Sequence, residues 1–260
     1  MNRIDAKFRE LKRTGRKGFV GYLTAGDPDL ERSAQNLRTA LRGGVDLLEL
    51  GVPFSDPTAD GPVIQAAAQR ALAAGMTVRK ALDMVASLRP EFDQPIILFG
   101  YANPFFRYGY ERLADDAAQA GADGMLVVDL PFEEAGDLRA SLARRDLHFI
   151  TLIAPTTPRA RAAEILREAR GFVYYIMVTG VTGTRTLLAT DVAAHVAMLR
   201  ACTNLPIAVG FGVSTGAQAR QAAEAADAVV VGSALVKAAQ EGRLEKLVGE
   251  IREGVGSQEC

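Results

Sequence analysis

Three carboxylates, Glu49, Asp56 and Asp60, are the residues of this chain from which acid–base chemistry is most readily built. Glu49 lies in an apolar run, 45–52, interrupted otherwise only by Asp46 and Gly51. A run that short, bounded by glycine and proline, reads as a buried strand. A carboxylate inside such a strand is paired, reached by a solvated cavity, or functional. No cationic residue occupies a strand near it. The loop that follows is stiffened by Pro53, Pro57, Gly61 and Pro62 and carries Asp56 and Asp60. A strand carboxylate and a loop carboxylate so spaced can face one pocket. Two carboxyl groups in different environments can hold different protonation states, which acid and base roles require. The plainer readings stand beside this one: Glu49 paired with a buried Lys, Arg or Tyr, Asp60 as the turn former before Gly61, and Asp56 as a turn residue or a contact for a partner protein.

A second group of residues suits an anion. Gly210-Phe211-Gly212 and Gly232-Ser233 sit where strands hand over to helices, and Gly183 lies in an earlier loop of the same kind. Singly, each reads as an ordinary strand-to-helix turn. Together they offer a concave set of backbone N–H groups at helix starts, which can hold a phosphate dianion without Lys or Arg, with the Ser233 hydroxyl as a further donor. Tyr174 and Tyr175 are neighbours on a strand, so one faces the interior or mouth and the other the surrounding helices. Asp129, at the end of a strand, is in a favoured position for a site residue or for bracing a loop. His148 reads as structural and His195 as packed or solvent-facing; neither is assigned a catalytic role.

The elements that must position these groups follow from periodicity. Residues 2–13 form an amphipathic leading helix with Ile4, Phe8 and Leu11 on one face. Eight short apolar strands follow, at 17–24, 45–52, 95–101, 124–128, 147–154, 172–177, 206–209 and 228–231, and each precedes a helical stretch. Asp27 or Asp29 is placed to cap the helix starting near Leu30, and Thr77 the helix after Gly75. The last helix is expected over 234–251, with 253–260 as a frayed tail. Eight βα units in 260 residues predict a (β/α)8 TIM barrel, one domain over 1–260, with a short N-terminal helix (1–14) and extra helical segments in the loops. The competing doubly wound sheet is disfavoured because no GxGxxG follows the first strand. The glycine loops come late, where barrels place a phosphate site.

Composition narrows the function classes. A formal net charge of −1 with no basic tract argues against nucleic acid as the main partner. The opening residues carry charges throughout and lack the apolar core of a signal peptide, and no apolar run is long enough to span a membrane, so a cytoplasmic protein is expected. Two cysteines, Cys202 and Cys260, form no disulfide framework, and with only two histidines no metal site is expected.

The segment 48–65, LELGVPFSDPTADGPVIQ, resembles the signature of the tryptophan synthase alpha subunit family. The likeness continues through YLTAGDP (22–28), YANP (101–104), DLPFEE (129–134), LIAPTTP (152–158), TGVTGTR (179–185), VGFGVS (209–214) and VVGSALVK (230–237). It implies a barrel that cleaves indole-3-glycerol phosphate by a retro-aldol reaction into indole and glyceraldehyde 3-phosphate. By the same resemblance Glu49 is the general acid–base group, and Asp60 accepts the indole N–H. Tyr22 falls where the family has an aromatic near the indole and Tyr174 where it has a tyrosine near the glutamate, the loop around Thr182 closes over substrate, and Gly183, Gly212, Gly232 and Ser233 hold the phosphate. Asp56 and Pro57 face a beta subunit, in an expected alpha2beta2 assembly. No cofactor is implied in this chain; pyridoxal phosphate belongs to the beta partner. Glu49 would need a pKa near neutrality, raised by burial, and Asp60 a more polar setting that keeps it ionised. Met177, Gly21 and Val128 depart from common family residues, and none removes a catalytic group. Two other functions share these motifs: a stand-alone lyase or other sugar-phosphate barrel enzyme such as an isomerase, and a non-catalytic activator of a beta subunit.

Overall fold

The computed structural model describes residues 1–176, 185–210 and 212–256, and over 185–191 the backbone alone. Asn2 opens the first helix by accepting the Ile4 N–H on its side chain, and α1 (Arg3–Arg13) turns Ile4, Phe8 and Leu11 to one buried face. There follow β1 (Gly18–Thr24), α2 (Leu30–Arg42), β2 (Leu47–Gly51), α3 (Pro62–Ala73), α4 (Val78–Leu88), β3 (Ile96–Gly100), α5 (Ala102–Tyr108), α6 (Tyr110–Ala120), β4 (Gly124–Val127) and α7 (Gly136–Ala143). The second half holds β5 (His148–Phe149), β6 (Thr151–Ile153), α8 (Arg159–Leu166), β7 (Val173–Ile176), α9 (Arg185–Arg200), β8 (Ile207–Gly210), α10 (Gly216–Ala225), β9 (Ala228–Val231), α11 (Ser233–Gln240) and α12 (Leu244–Gly256). No described helix is long and apolar enough to cross a membrane.

The strands are parallel and run β5-β4-β3-β2-β1-β9-β8-β7-β6 around the sheet. The two ends of that order are consecutive in the chain. The stretch 148–153 pairs with β4 through His148 and Phe149 and with β7 through Thr151 to Ile153. The expected fifth strand is therefore one extended segment that changes partner at Ile150, and it closes the (β/α)8 barrel. Alternate residues fill the interior: Val20, Leu47, Ile97, Leu126, Ile150, Phe172 and Val230 pack together, and α1 plugs this cluster with Ile4, Phe8 and Leu11. The Phe8 and Phe172 rings lie 5.4 Å apart.

The N-terminal ends of the strands are locked by a device used three times. Asp46, Asp123 and Asp227 each stand immediately before a strand, and each accepts on Oδ2 the backbone N–H of a residue on the preceding neighbour: Phe19 at 2.9 Å, Ile96 at 2.8 Å and Ile207 at 2.9 Å. The Asp N–H returns a bond to the same residue's carbonyl in all three. Arginines neutralise the carboxylates: Arg16 and Arg252 at Asp46, Arg3 and Arg89 at Asp123, Arg200 at Asp227. A charge-assisted bond of this kind holds strand register where loops are short.

Several expectations change. Asp29 caps α2, whereas Asp27 makes a two-pronged ion pair with Arg70 on α3, at 2.7 and 3.0 Å. Thr77 caps α4 as expected. Residues 102–108, to which no helix is assigned from sequence, form α5, because proline is tolerated in the first turn of a helix. The single final helix is two, broken where Gly242 takes φ +68°. Fraying from 253 onward does not hold for 253–256: α12 reaches Gly256, with Val255 buried. Residues 257–260 lie outside the described chain.

Candidate active site

Glu49 sits on β2 between Leu48 and Leu50, which pack outward among the helices, so its side chain points inward. It is in register with Tyr22 on β1 and Ile97 on β3. Its exposure is 0 %, and neither carboxyl oxygen has a hydrogen-bond partner among the described residues. Burial in this apolar cage pushes its pKa up to about 8. The group is thus chiefly a neutral acid at pH 7, able to give a proton and poised to take one back.

Asp60 belongs to the loop between β2 and α3. The turn is closed by the Asp60 N–H on the Pro57 carbonyl at 3.1 Å, and Gln65 reaches back to the Asp60 carbonyl at 2.8 Å. Gly61 and Pro62 then start α3, proline occupying the first turn where its missing N–H costs nothing. Burial raises the Asp60 carboxyl to about 6, and a hydrogen bond from Tyr101 opposes the rise. The polar setting expected from sequence is present, but burial outweighs it. Asp60 still stays ionised at pH 7 by about ten to one. Tyr101 was visible in the sequence only as part of YANP. The available signal was its place at the exit of a barrel strand, a favoured position for site residues.

Two glycines make room for tyrosines at the mouth. A Cβ on Gly51 would lie 2.2 Å from the Tyr22 hydroxyl, and one on Gly210 would lie 2.9 Å from the Tyr174 hydroxyl. The Tyr22 ring meets Phe99 edge-on at 5.1 Å, and its hydroxyl is 3.4 Å from Thr24 Oγ1. Both tyrosines have raised pKa values, from burial first and then from the carboxylates of Asp60 and Glu49, so the four groups share one electrostatic environment. Tyr175 points the other way, as alternation requires, and stacks on His195 at 5.6 Å. Gly51→Ala is expected to displace Tyr22 and to cost about 1–3 kcal/mol of stability by overpacking, measurable by urea denaturation.

At the other end of the pocket, Gly232 joins β9 to α11 and Ser233 opens the helix with an exposed side chain. Leu235 and Val236 direct their N–H groups to the Gly232 carbonyl, while the N–H groups of Ser233 and Ala234 have no acceptor within the helix. Gly212 follows β8 with φ +78°. A Cβ on Gly232 would be 3.6 Å from Tyr22 Cβ, and Tyr22 is the strand neighbour of Glu49. Glu49 and Gly232 are therefore two strand spacings apart, about 10 Å, the span of one small ligand. Thr182, Gly183, Phe211 and Met177 lie outside the described residues.

The remaining sequence candidates are also placed. Asp56 is exposed and accepts from Ser55 Oγ, and Pro57 is half-buried beside it. Asp129 Oδ1 accepts the Ala102 N–H at 2.7 Å and braces α5. His148 is buried against Asp5 at 3.0 Å. Among the described residues no group of three or more His, Cys, Asp or Glu side chains is arranged to hold a metal.

The chain is similar to known proteins over nearly its whole length. Residues 8–258 match the family model described as tryptophan synthase alpha chain. The chain is 52% identical over 237 residues to the tryptophan synthase alpha chain of Geobacter sp. (strain M21), covering 91% of this chain and 89% of that one. It is 48% identical over 264 residues to the alpha chain of Geobacter sulfurreducens, covering 99% and 100%. The crystal structure of tryptophan synthase subunit alpha from Legionella pneumophila superimposes with a TM-score of 0.91 at 38% identity, covering 98% of each chain. A barrel with a solitary inward carboxyl on its second strand, matched over nearly its whole length to chains of one kind, belongs to the tryptophan synthase alpha chain family.

Proposed function

We propose that the chain cleaves indole-3-glycerol phosphate into indole and D-glyceraldehyde 3-phosphate as the alpha subunit of tryptophan synthase. The observation that carries this reading is Glu49: a fully buried carboxyl facing the barrel interior, with no hydrogen-bond partner among the described residues and chiefly protonated at neutral pH. Indole leaves poorly as a carbanion, so C3 of the ring must be protonated before the carbon–carbon bond breaks. Glu49 gives that proton. As the bond breaks, it takes the proton of the hydroxyl on the glycerol carbon attached to the ring, and that carbon becomes the aldehyde. The acid ends in its starting state and the proton count closes. Asp60, ionised, accepts the indole N–H and stabilises the positive charge that protonation places on the ring. Tyr22 and Tyr174 form the apolar sides of the ring pocket. The free N–H groups at the start of α11, with Gly212, Gly232 and Ser233, take the phosphate at the helix N-terminus. Gly183 and Thr182 are assigned to phosphate contact and loop closure by family likeness.

No step of this scheme calls on a cofactor. A beta subunit that carries pyridoxal phosphate is the proposed partner, in an alpha2beta2 assembly, and the proposed location is the cytoplasm. Asp56 and Pro57, beside the catalytic loop, are the proposed contacts. Phe106, 68 % exposed on α5 after the neighbouring strand, adds apolar surface to that end of the barrel.

The test is release of indole from indole-3-glycerol phosphate by the purified chain, alone and with a tryptophan synthase beta subunit. Slow release alone and strong stimulation by the partner are expected; no indole in either case overturns the reading. The pH dependence of kcat/KM is expected to be bell-shaped. Activity is lost below about 6 as Asp60 takes a proton and above about 8 as Glu49 loses its own. A profile flat from pH 5.5 to 9 contradicts the assignment of roles.

A further inference from the structure

We propose that Arg70 is a positioning residue that fixes the distance between the two ends of the site, by tying α3, which starts beside Asp60, to α11, which starts at Ser233. The inference rests on the proposed reading that one substrate spans those two ends. α3 and α11 lie against each other, and both lie against β1. Asp60 stands two residues before α3, and Gln65 on that helix holds the Asp60 carbonyl at 2.8 Å, so the loop is carried by α3. Ser233 is the first residue of α11, where the free N–H groups are. Each helix then runs away from the site to Arg70 near the end of α3 and to Gln240 at the end of α11. At 1.5 Å per residue these are levers of about 12 and about 10 Å.

Their far ends meet at one guanidinium. Arg70 Nε and Nη2 donate to the two carboxylate oxygens of Asp27 at 2.7 and 3.0 Å. The Gln240 amide, its oxygen turned toward Arg70, accepts from Nη1 at 2.9 Å. All three nitrogens of the fork are engaged. Asp27 is a fixed point for them. It is 7 % exposed, in the turn between β1 and α2. The Ala25 N–H in the same turn donates to the Gly51 carbonyl at 2.8 Å, and the Gly26 N–H to Ser33 Oγ at 2.9 Å. Gly26 takes φ +83°, and a Cβ there would lie 3.0 Å from Met76, just past α3. Among the described residues Arg70 is the sole ion-pair partner of Asp27, and a buried carboxylate requires one. A planar fork sets direction as well as distance, where apolar contact alone would let two helices slide.

The test compares ligands that fill one end of the site with the substrate that spans both. Arg70→Leu is expected to lower kcat/KM for indole-3-glycerol phosphate by on the order of 10²-fold, the cost of a displacement of about 1 Å between reacting groups. Indole and glycerol 3-phosphate, each filling one end, are expected to bind within about twofold of wild type, since neither end is itself altered. Arg70→Leu also leaves Asp27 buried without its cation, so Gln240→Ala is made beside it. Gln240 is exposed, and its replacement cuts the link to α11 while the ion pair survives. A loss of about tenfold in kcat/KM with both partial ligands still bound is expected. A residue that only stabilised the fold would lower the melting temperature and leave these kinetics unchanged. The spacing is also read without turnover, by electron–electron double resonance between nitroxides at the exposed positions Thr58 and Lys237, with Cys202 and Cys260 replaced by serine. One narrow distance distribution is expected with Arg70 and Gln240 in place, and a broader one in either variant. A distribution that stays narrow in both variants, or parallel weakening of all three ligands, overturns the inference even if indole release is confirmed. If the chain releases no indole, broadened distances still uphold the tie, and the proposed function alone falls.

Discussion

Replacing Glu49 by Gln is expected to reduce indole release by on the order of 10⁴-fold, because one residue performs both proton transfers and the amide performs neither. The same substitution is expected to make the chain more stable above neutral pH. The folded-state pKa of Glu49, about 8, lies above the 4.5 of an unperturbed glutamate. A group raised in this way favours the folded chain most at low pH and costs stability as pH rises from 4.5 towards 8, where the unfolded chain ionises freely and the folded chain cannot. Between pH 6 and 8.5 the wild type should lose about 2–3 kcal/mol relative to Glu49→Gln. Urea denaturation of both proteins at the two pH values measures this directly. Stability curves that stay parallel would mean that the carboxyl is not held neutral by the barrel. The two readouts move in opposite directions, which separates loss of chemistry from loss of fold.

Asp60→Asn is the second large effect, a loss on the order of 10³-fold carried by kcat. The amide oxygen still accepts the indole N–H, so the ground-state complex keeps its hydrogen bond and KM changes little. What disappears is the negative charge that stabilises the protonated ring, an interaction strongest in the transition state. Steady-state kinetics separate the two cases: a rise in KM at unchanged kcat would assign Asp60 to binding alone. The acidic limb of the pH profile should also shrink in this variant, since Asp60 no longer titrates there and only the second ionisation of the substrate phosphate remains.

Much of this architecture is legible in the sequence, for identifiable reasons. Short apolar runs divided by glycine and proline mark parallel strands buried on both faces, and Glu49 stands out because a carboxylate has no ordinary place in such a run. The glycines at 212 and 232 are legible as chain reversals into helices. What local pattern does not carry is pairing. The stretch 148–153 looks like one strand and pairs as two, because a change of partner at Ile150 leaves no mark on composition. Asp46 reads as an interruption of an apolar run, and its bond to Phe19 is known only once β1 lies beside β2. Tyr101 is hidden for the same reason: its hydroxyl acquires a role when a loop more than forty residues earlier folds across the strand exit. The helix 102–108 is obscured by Pro104, whose usual meaning as a breaker is reversed in a first turn.

The aspartate bonds at Asp46, Asp123 and Asp227 lie at the opposite ends of the strands from the loops that carry Asp60 and Ser233. Three strand pairs, β1 with β2, β3 with β4 and β8 with β9, are registered from beneath by groups that never approach a ligand. The mouth loops carry none of that burden. A lineage using this scaffold can therefore lengthen, shorten or exchange them and explore new substrates while its topology is inherited unchanged.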